Sequence, residues 1–196
     1  AVYQGDAYAP VAERIIREVD PAVVIIGQTT IGRDLAPRLA QRLGTAVAMD
    51  CVALQMQSDK LTAERPAYGG SARARYTING TPQMATVRAK SQEPLERDAS
   101  RQGEVVKQAA NLPAGAVRTK ILERRKEKAE GVRLEDAKVV VGGGRGVGGP
   151  EGFQQLEELA GILGGAVGAS RAVCDLGWYP VPAQIGLTGK VVTPDL

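Results

Sequence analysis

Between Ala137 and Leu163 the chain reads AKVVV, then GGGRGVGGP, then EGFQQLEELAGIL. No other stretch limits the fold as strongly. A short continuous apolar run is what a strand covered on both faces requires. The glycines after it form a turn, and Phe153, Leu156, Leu159 or Ala160, and Leu163 then recur at helical spacing. Pro150 suits the first helical position, and Gly164-Gly165 stop the helix. Ala166 to Val173 is predicted as the next strand. Strand, helix, strand in that order implies a parallel α/β unit.

The first ninety residues predict a second α/β region. Val11, Ile15 and Val19 fall on one helical stripe, with Ala12 and Ile16 beside it, and Asp20-Pro21 end the helix. Ala22 to Ile26 (AVVII) reads as a strand buried on both faces. Leu35, Leu39 and Leu43 mark a second helix that ends at Gly44. Pro37 argues for a late start near Asp34, or a kink. Thr45 to Gln57 reads as strand. Asn79-Gly80 lies between ARARYTI and TPQMATVRA and predicts a hairpin with a type I′ turn.

Residues 91–136 hold few large apolar side chains and read as a linker, with Val105-Val106 and Val117 to Leu122 as possible short strands. ILERRKEKAE within it has helical propensity. The division is thus a partial N-terminal α/β domain over 1–90, the linker, and a further parallel α/β domain from 137. The 25 Lys and Arg exceed the 22 Asp and Glu by three, and the whole excess lies between Arg118 and Glu130. With no other basic surface and no interleaved aromatics, nucleic-acid binding is not expected. No run is long and apolar enough to insert in a membrane. Histidine is absent, so a Ser-His or Cys-His pair and a His-ligated metal are excluded, and no metal site is expected. Cys51 and Cys174 form no C-x-x-C motif and suggest a reducing compartment.

Three places could carry chemistry, the first otherwise reading as a glycine-rich connection that packs helix on sheet and the other two, taken alone, reading more readily as ordinary turns. Gly144, Gly146 and Gly149 fit G-x-G-x-x-G between a strand and a helix, where backbone N–H groups can approach a pyrophosphate. Arg145 lies inside that turn and can add a charge-assisted bond. Gly168-Ala169-Ser170-Arg171 combines small residues, a hydroxyl and a cation. Gln184-Ile185-Gly186-Leu187-Thr188-Gly189-Lys190 sets donors between glycines. Such patches suit a flavin, which needs donors and positive charge where reduction deposits negative charge. Asp175 offers an alternative: an acidic residue after a second strand can hold a ribose hydroxyl in an NAD(P)-binding oxidoreductase domain.

The ordered pieces GGRG, GAVGASR, D-x-GW and Q-x-G-x-TGK resemble the opening half of the FAD domain of the electron transfer flavoprotein alpha subunit family. VVIIGQTTIGRDLAPRLAQRLGTAVAMDC is similar to that family's N-terminal domain, so the resemblance covers nearly the whole chain. It implies FAD as cofactor, with Arg145 and its neighbouring glycines Gly144 and Gly146 at the phosphates. Ser170 would bond the cofactor and Arg171 would lie against the isoalloxazine. Gln184, Ile185, Gly186, Leu187, Thr188 and Gly189 would line the ring, Thr188 donating toward N5. It also implies an electron carrier rather than an enzyme, so no catalytic residue is expected. The partners implied are a beta subunit, acyl-CoA or other flavin dehydrogenases as donors, and a quinone oxidoreductase as acceptor. The place implied is the cytoplasm of a prokaryote or the mitochondrial matrix. Two departures stand out. Leu187 replaces the glutamine of the family's usual G-Q-T-G, and the family extends further at both ends. The chain is therefore expected to be an internal fragment, with weak FAD retention by itself.

Overall fold

The computed structural model describes residues 2–123 and 132–196. The acidic and basic tract at 124–131, and with it most of the helix expected from ILERRKEKAE, lies outside the described residues. The chain forms two compact units, Ala1–Leu122 and Glu123–Leu196.

The first unit opens with α1 (Gly5–Val19), β1 (Val23–Gly27), α2 (Thr30–Leu43) and β2 (Val47–Cys51). β3 (Ala53–Gln57), β4 (Lys60–Ala67), β5 (Ala72–Thr77) and β6 (Gln83–Val87) follow. A parallel sheet has the order β1-β6-β2, and an antiparallel sheet has the order β3-β4-β5. Thr45 to Gln57 is thus two strands rather than one. The break falls at Val52, two residues after Asp50, whose φ of 60° lies outside extended geometry at the point where the register with β6 shifts.

The hairpin expected at Asn79-Gly80 does not form. β5 pairs antiparallel with β4, whereas β6 lies parallel between β1 and β2, Val23 opposite Gln83. The physical reason is burial. Gln83 to Thr86 are all buried and need cover on both faces, while β5 is an exposed edge. Ile78 is the crossing point: its side chain enters the core and its N–H donates to Leu61 C=O at 3.1 Å.

Other expectations shift more modestly. On α1, Ala12 and Ile16 pack against Leu39, Ala40 and Met84 and Ala9 is buried, while Ile15 and Val19 are exposed. The buried stripe is turned by about one residue, roughly 100° at 3.6 residues per turn. In that orientation Glu13 on α1 also binds Arg42 of α2 at 2.6 Å. β1 is not covered on both faces, for Ile25 is 59% exposed. α2 starts at Thr30, because Thr29 Oγ1 accepts the Gly32 N–H at 3.1 Å. Pro37 therefore sits inside the helix on its exposed side. Asp34 caps nothing, accepting instead from Tyr3 Oη at 2.6 Å and Arg38 Nε at 3.1 Å. Residues 91–122 hold no strand. Val105, Val106 and Leu122 are solvent-exposed, and the segment is tied to α1 by Gln4 to Thr119 C=O and Arg14 to Ala109 C=O, each 2.8 Å.

The second unit contains β7 (Val140–Gly143), α3 (Gly152–Ile162), β8 (Ala166–Ala169) and the short α4 (Arg171–Asp175). β7 and β8 pair in parallel, Val140 opposite Ala166. Both faces are covered. Phe153 leads one cluster with Ala169, Val173 and Cys174, and Leu134, Ala137 and Ala166 form the other with Ile185 and Val192. The strand expected over Ala166 to Val173 ends at Ala169, and α4 begins two residues on. Of the alternatives on α3, Ala160 is the buried one, and Leu159 and Leu163 are exposed. No described helix is long and apolar enough to cross a membrane.

Candidate functional site

Three segments meet at the carboxyl ends of β7 and β8. The Ser170 N–H donates to Gly143 C=O at 2.9 Å, fastening the start of α4 to the end of β7. The Ile185 N–H donates to Ala169 C=O at 2.9 Å, laying the next loop along the other edge of β8. Gly144 lies beside Ser170, whose Oγ is 3.5 Å from where a Cβ on Gly144 would stand. Sequence order thus becomes spatial order: 144–146, then 170–171, then 184–190. In open α/β sheets, the strand ends are where ligands bind.

The glycine turn departs from the dinucleotide fingerprint. Arg145 to Val147 form one 3-10 turn, and α3 begins only at Gly152. A Cβ on Gly152 would lie 2.4 Å from Val147 C=O, and one on Gly143 would lie 2.5 Å from the Phe153 ring. These two glycines allow helix to pack on strand, and neither belongs to the 144/146/149 triplet. Pro150 likewise lies two residues ahead of the helix, not at its first position. Gly146 faces open space. Among the described residues, the Arg145 and Gly146 N–H groups and the exposed Arg145 guanidinium have no protein partner. An open turn with a spare cation fits the phosphates of a dinucleotide.

Arg171 and Asp175 face each other across one turn of α4, 3.2 Å apart and both well exposed. Asp175 is therefore engaged with the cation instead of standing alone for a ribose. A pair this exposed contributes at most about 1 kcal/mol, so the guanidinium is held but not locked.

The loop from Gln184 to Lys190 closes on itself. Lys190 N–H donates to Gln184 C=O at 2.7 Å, Gly186 N–H to Lys190 C=O at 3.1 Å, and Gly189 N–H to Gly186 C=O at 3.1 Å. Gly189 is required, because a Cβ there would come within 2.3 Å of Gln184 C=O. Gly186 has φ 115°, a region that other residues avoid. The loop tip presents Leu187 and Thr188 to solvent. Among the described residues their N–H groups have no backbone acceptor. Ile185 turns the other way, its side chain packing over Gly142 and Gly168, so it can offer only backbone to a ligand. Gln184 is 7% exposed, and its side-chain amide donates to Thr188 Oγ1 at 2.8 Å.

Sequence reading missed the stack beneath the site. Tyr179 lies on Phe153 with ring centroids 4.5 Å apart and 16° between planes. Its hydroxyl donates to Glu157, and burial with this carboxylate pushes its pKa up to about 12. The spacing of Phe153 and Tyr179 carries no periodic signal, so only the fold brings them together. A cleft of about 510 Å³ in the first unit, lined by Asp6, Arg38, Arg42 and Arg118, is a weaker candidate. Each of those guanidiniums already faces a carboxylate.

Residues 1–113 match the electron transfer flavoprotein domain, and residues 133–196 match the electron transfer flavoprotein FAD-binding domain. The electron transfer flavoprotein subunit alpha of Thermoanaerobacterium thermosaccharolyticum is 44% identical over 196 residues, which is 99% of this chain and 59% of the relative. The corresponding subunit of Bacillus subtilis is 42% identical over 194 residues, again 99% and 59%. Protein FixB of Clostridium saccharobutylicum is 41% identical over 197 residues, with the same coverage. The chain therefore spans about three fifths of the length of these relatives. Fold and strand-end site together define an α/β protein with a cofactor domain of the FAD-binding kind. The chain belongs to the electron transfer flavoprotein family, on its alpha-subunit side.

Proposed function

We propose that this chain carries electrons through bound FAD, as the alpha subunit of an electron transfer flavoprotein paired with a beta subunit. The observation that carries the reading is the meeting of an open glycine turn, a serine-arginine pair and a donor loop at two parallel strand ends. That meeting lies inside the segment matching the FAD-binding family. FAD supplies the redox chemistry when bound. The protein's part is to bind, orient and stabilise charge.

Arg145, with the backbone of Gly144 and Gly146, holds the phosphates. Ser170 bonds the cofactor beside Gly144. Arg171 offers positive charge to the side of the ring that becomes negative, and its weak hold on Asp175 lets it turn toward that charge. Thr188 offers a hydroxyl, and Gly186, Leu187 and Gly189 bring the loop backbone close. Gln184 and Ile185 hold the loop on the sheet. Residues 91–136 connect the cofactor domain, from 137 onward, to an N-terminal domain over 1–90. The donors are flavin dehydrogenases such as acyl-CoA dehydrogenases, and the acceptor is a quinone oxidoreductase, with the complex at work in the cytoplasm or the mitochondrial matrix.

The test is to purify the gene product with a beta subunit and record its visible spectrum and bound nucleotides. One flavin per complex, reduced by a flavin dehydrogenase and reoxidised by an acceptor, is expected. Stoichiometric NAD with no flavin would overturn the reading.

A further inference from the structure

The Gln184–Thr188 contact is unusual for this surface. Most polar side chains at the tip of an exposed loop spend their hydrogen bonds on water. Here a buried amide reaches four residues along the chain to hold one exposed hydroxyl. The backbone that carries it is fixed at both ends. Gln184 N–H donates to Val181 C=O at 2.9 Å, its C=O accepts from Lys190 at 2.7 Å, and Lys190 is anchored to Glu135 at 3.2 Å. A buried amide without a partner costs about 1–3 kcal/mol, so the bond is maintained.

The chemistry of the two groups sets a direction. The amide nitrogen can only donate, so the Thr188 oxygen must accept from it. A threonine hydroxyl has one hydrogen and two lone pairs. With a donor occupying one lone pair, the O–H is turned away from Gln184 and toward the open side of the loop. One lone pair remains, but the hydrogen can no longer point back at Gln184, so the open direction of this hydroxyl is biased toward donation to a ligand.

We propose that Gln184 is a positioning residue, which fixes the Thr188 hydroxyl as a hydrogen-bond donor to the atom of the bound ring that gains electron density on reduction. Its effect on the flavin then passes entirely through Thr188. This rests on the FAD reading above. A donor preset toward developing charge favours the reduced form, because no reorientation is needed when the electrons arrive.

Two measurements test it. In the flavin-loaded complex, Thr188→Val lowers the flavin's reduction potential, and Thr188→Ser keeps it. Gln184→Met, similar in shape and without the donor, lowers it by less than Thr188→Val does, since the hydroxyl regains its rotation without vanishing. The double variant Gln184→Met with Thr188→Val matches Thr188→Val alone. An unchanged potential in Gln184→Met, or a double variant equal to the sum of both shifts, overturns the proposal. The second measurement needs no flavin. In the isotopically labelled chain, one Gln184 side-chain amide proton moves upfield in Thr188→Val as its acceptor is lost, and an unmoved resonance overturns the proposal even where Gln184→Met fails to fold. If the wild-type complex holds no flavin, the FAD reading fails separately, and the amide resonance still decides whether Gln184 holds Thr188.

Discussion

Each unit places a turn at the carboxyl ends of parallel strands, and the two treat that position in opposite ways. At the ends of β1, β6 and β2 the chain satisfies itself. Thr86, fully buried, accepts the Asp50 N–H at 2.8 Å and donates to Gln28 Oε1. Asp50 in turn is held by Arg88 through bonds of 2.9 and 2.6 Å. At the ends of β7 and β8 the polar groups point outward instead, with Arg145 lacking a protein partner among the described residues and Thr188 at an exposed tip. Topology allows a site at either place. What distinguishes them is whether the side chains there use up their hydrogen bonds on one another or keep capacity for a ligand, as Thr188 keeps its O–H while accepting from Gln184. The same residue type, threonine, serves both ends, so substitution can separate the two cases.

The largest expected effect tests whether the units are separate in energy. The single tryptophan, Trp178, packs in the Phe153 cluster and so reports the second unit alone. Phe153→Ala removes a ring that is 2% exposed and stacked on Tyr179, which costs about 3–5 kcal/mol. In urea, the Trp178 fluorescence transition moves to much lower concentration while the circular dichroism change belonging to the first unit stays in place. Movement of both together would show that the units unfold as one.

Next comes the threonine pair. Thr86→Val keeps shape and leaves the Asp50 N–H and Gln28 carbonyl without their partner, costing about 2 kcal/mol in the first unit's transition. Thr188→Val costs less, about 1 kcal/mol, because the hydroxyl itself stands at the surface and only one neighbour, the Gln184 amide, loses a partner, against two for Thr86. Equal losses would erase the distinction between a closed strand end and an open one.

How far these contrasts were legible in the sequence depends on range. Local signals serve well where they decide: a strand at the VVV run, the Leu35-Leu39-Leu43 stripe and the stop at Gly44 lie where pattern predicts, although the strand runs on into Gly142-Gly143 and the glycine turn opens only at Gly144. Failures came where a distant partner decides. Asn79-Gly80 carries strong hairpin chemistry, yet the burial of Gln83 to Thr86 sends β6 into another sheet. Burial of the whole segment, more than its alternation, was the signal to weigh. Pro37 argues for a late helix start near Asp34 or a kink, but the Thr29 cap, five positions before Asp34, fixes an earlier one. In the site, the residue types of 144–146, 170–171 and 184–190 were readable. Their meeting at two strand ends, the inward turn of Ile185 and the bond from Gln184 to Thr188 were not, because each depends on a backbone contact between separate segments.

Acid gives a smaller effect, confined to the first unit. Hydrogen bonding from Arg42, then Arg17, holds the Glu13 carboxyl below the ordinary carboxylate value despite partial burial. A depressed folded value means the stabilisation is present above the unfolded pKa, near 4.5, and is lost as pH falls through the folded one. Both arginines are about half exposed, so solvent screening limits the gain to at most about 1 kcal/mol. Glu13→Gln flattens the acid limb of the first unit's stability and leaves the Trp178 transition unchanged. A Trp178 transition that moved with it would couple the units.

The smallest effect on stability falls at Leu187, and there the open strand end is tested most sharply. Leu187 is 75% exposed at the loop tip, an apolar side chain with nothing to cover it. Leu187→Gln leaves urea stability within about 0.5 kcal/mol, as an exposed substitution should. Its consequence is expected in the flavin. The glutamine adds a side-chain donor and acceptor next to Thr188, on the face where the loop offers its N–H groups, and it restores the family's usual G-Q-T-G. A shifted reduction potential with unchanged folding is the expected outcome in the flavin-loaded complex. An unchanged potential would mean that the loop acts on the ring through Thr188 and backbone alone, and that the side chain at 187 faces away from the cofactor.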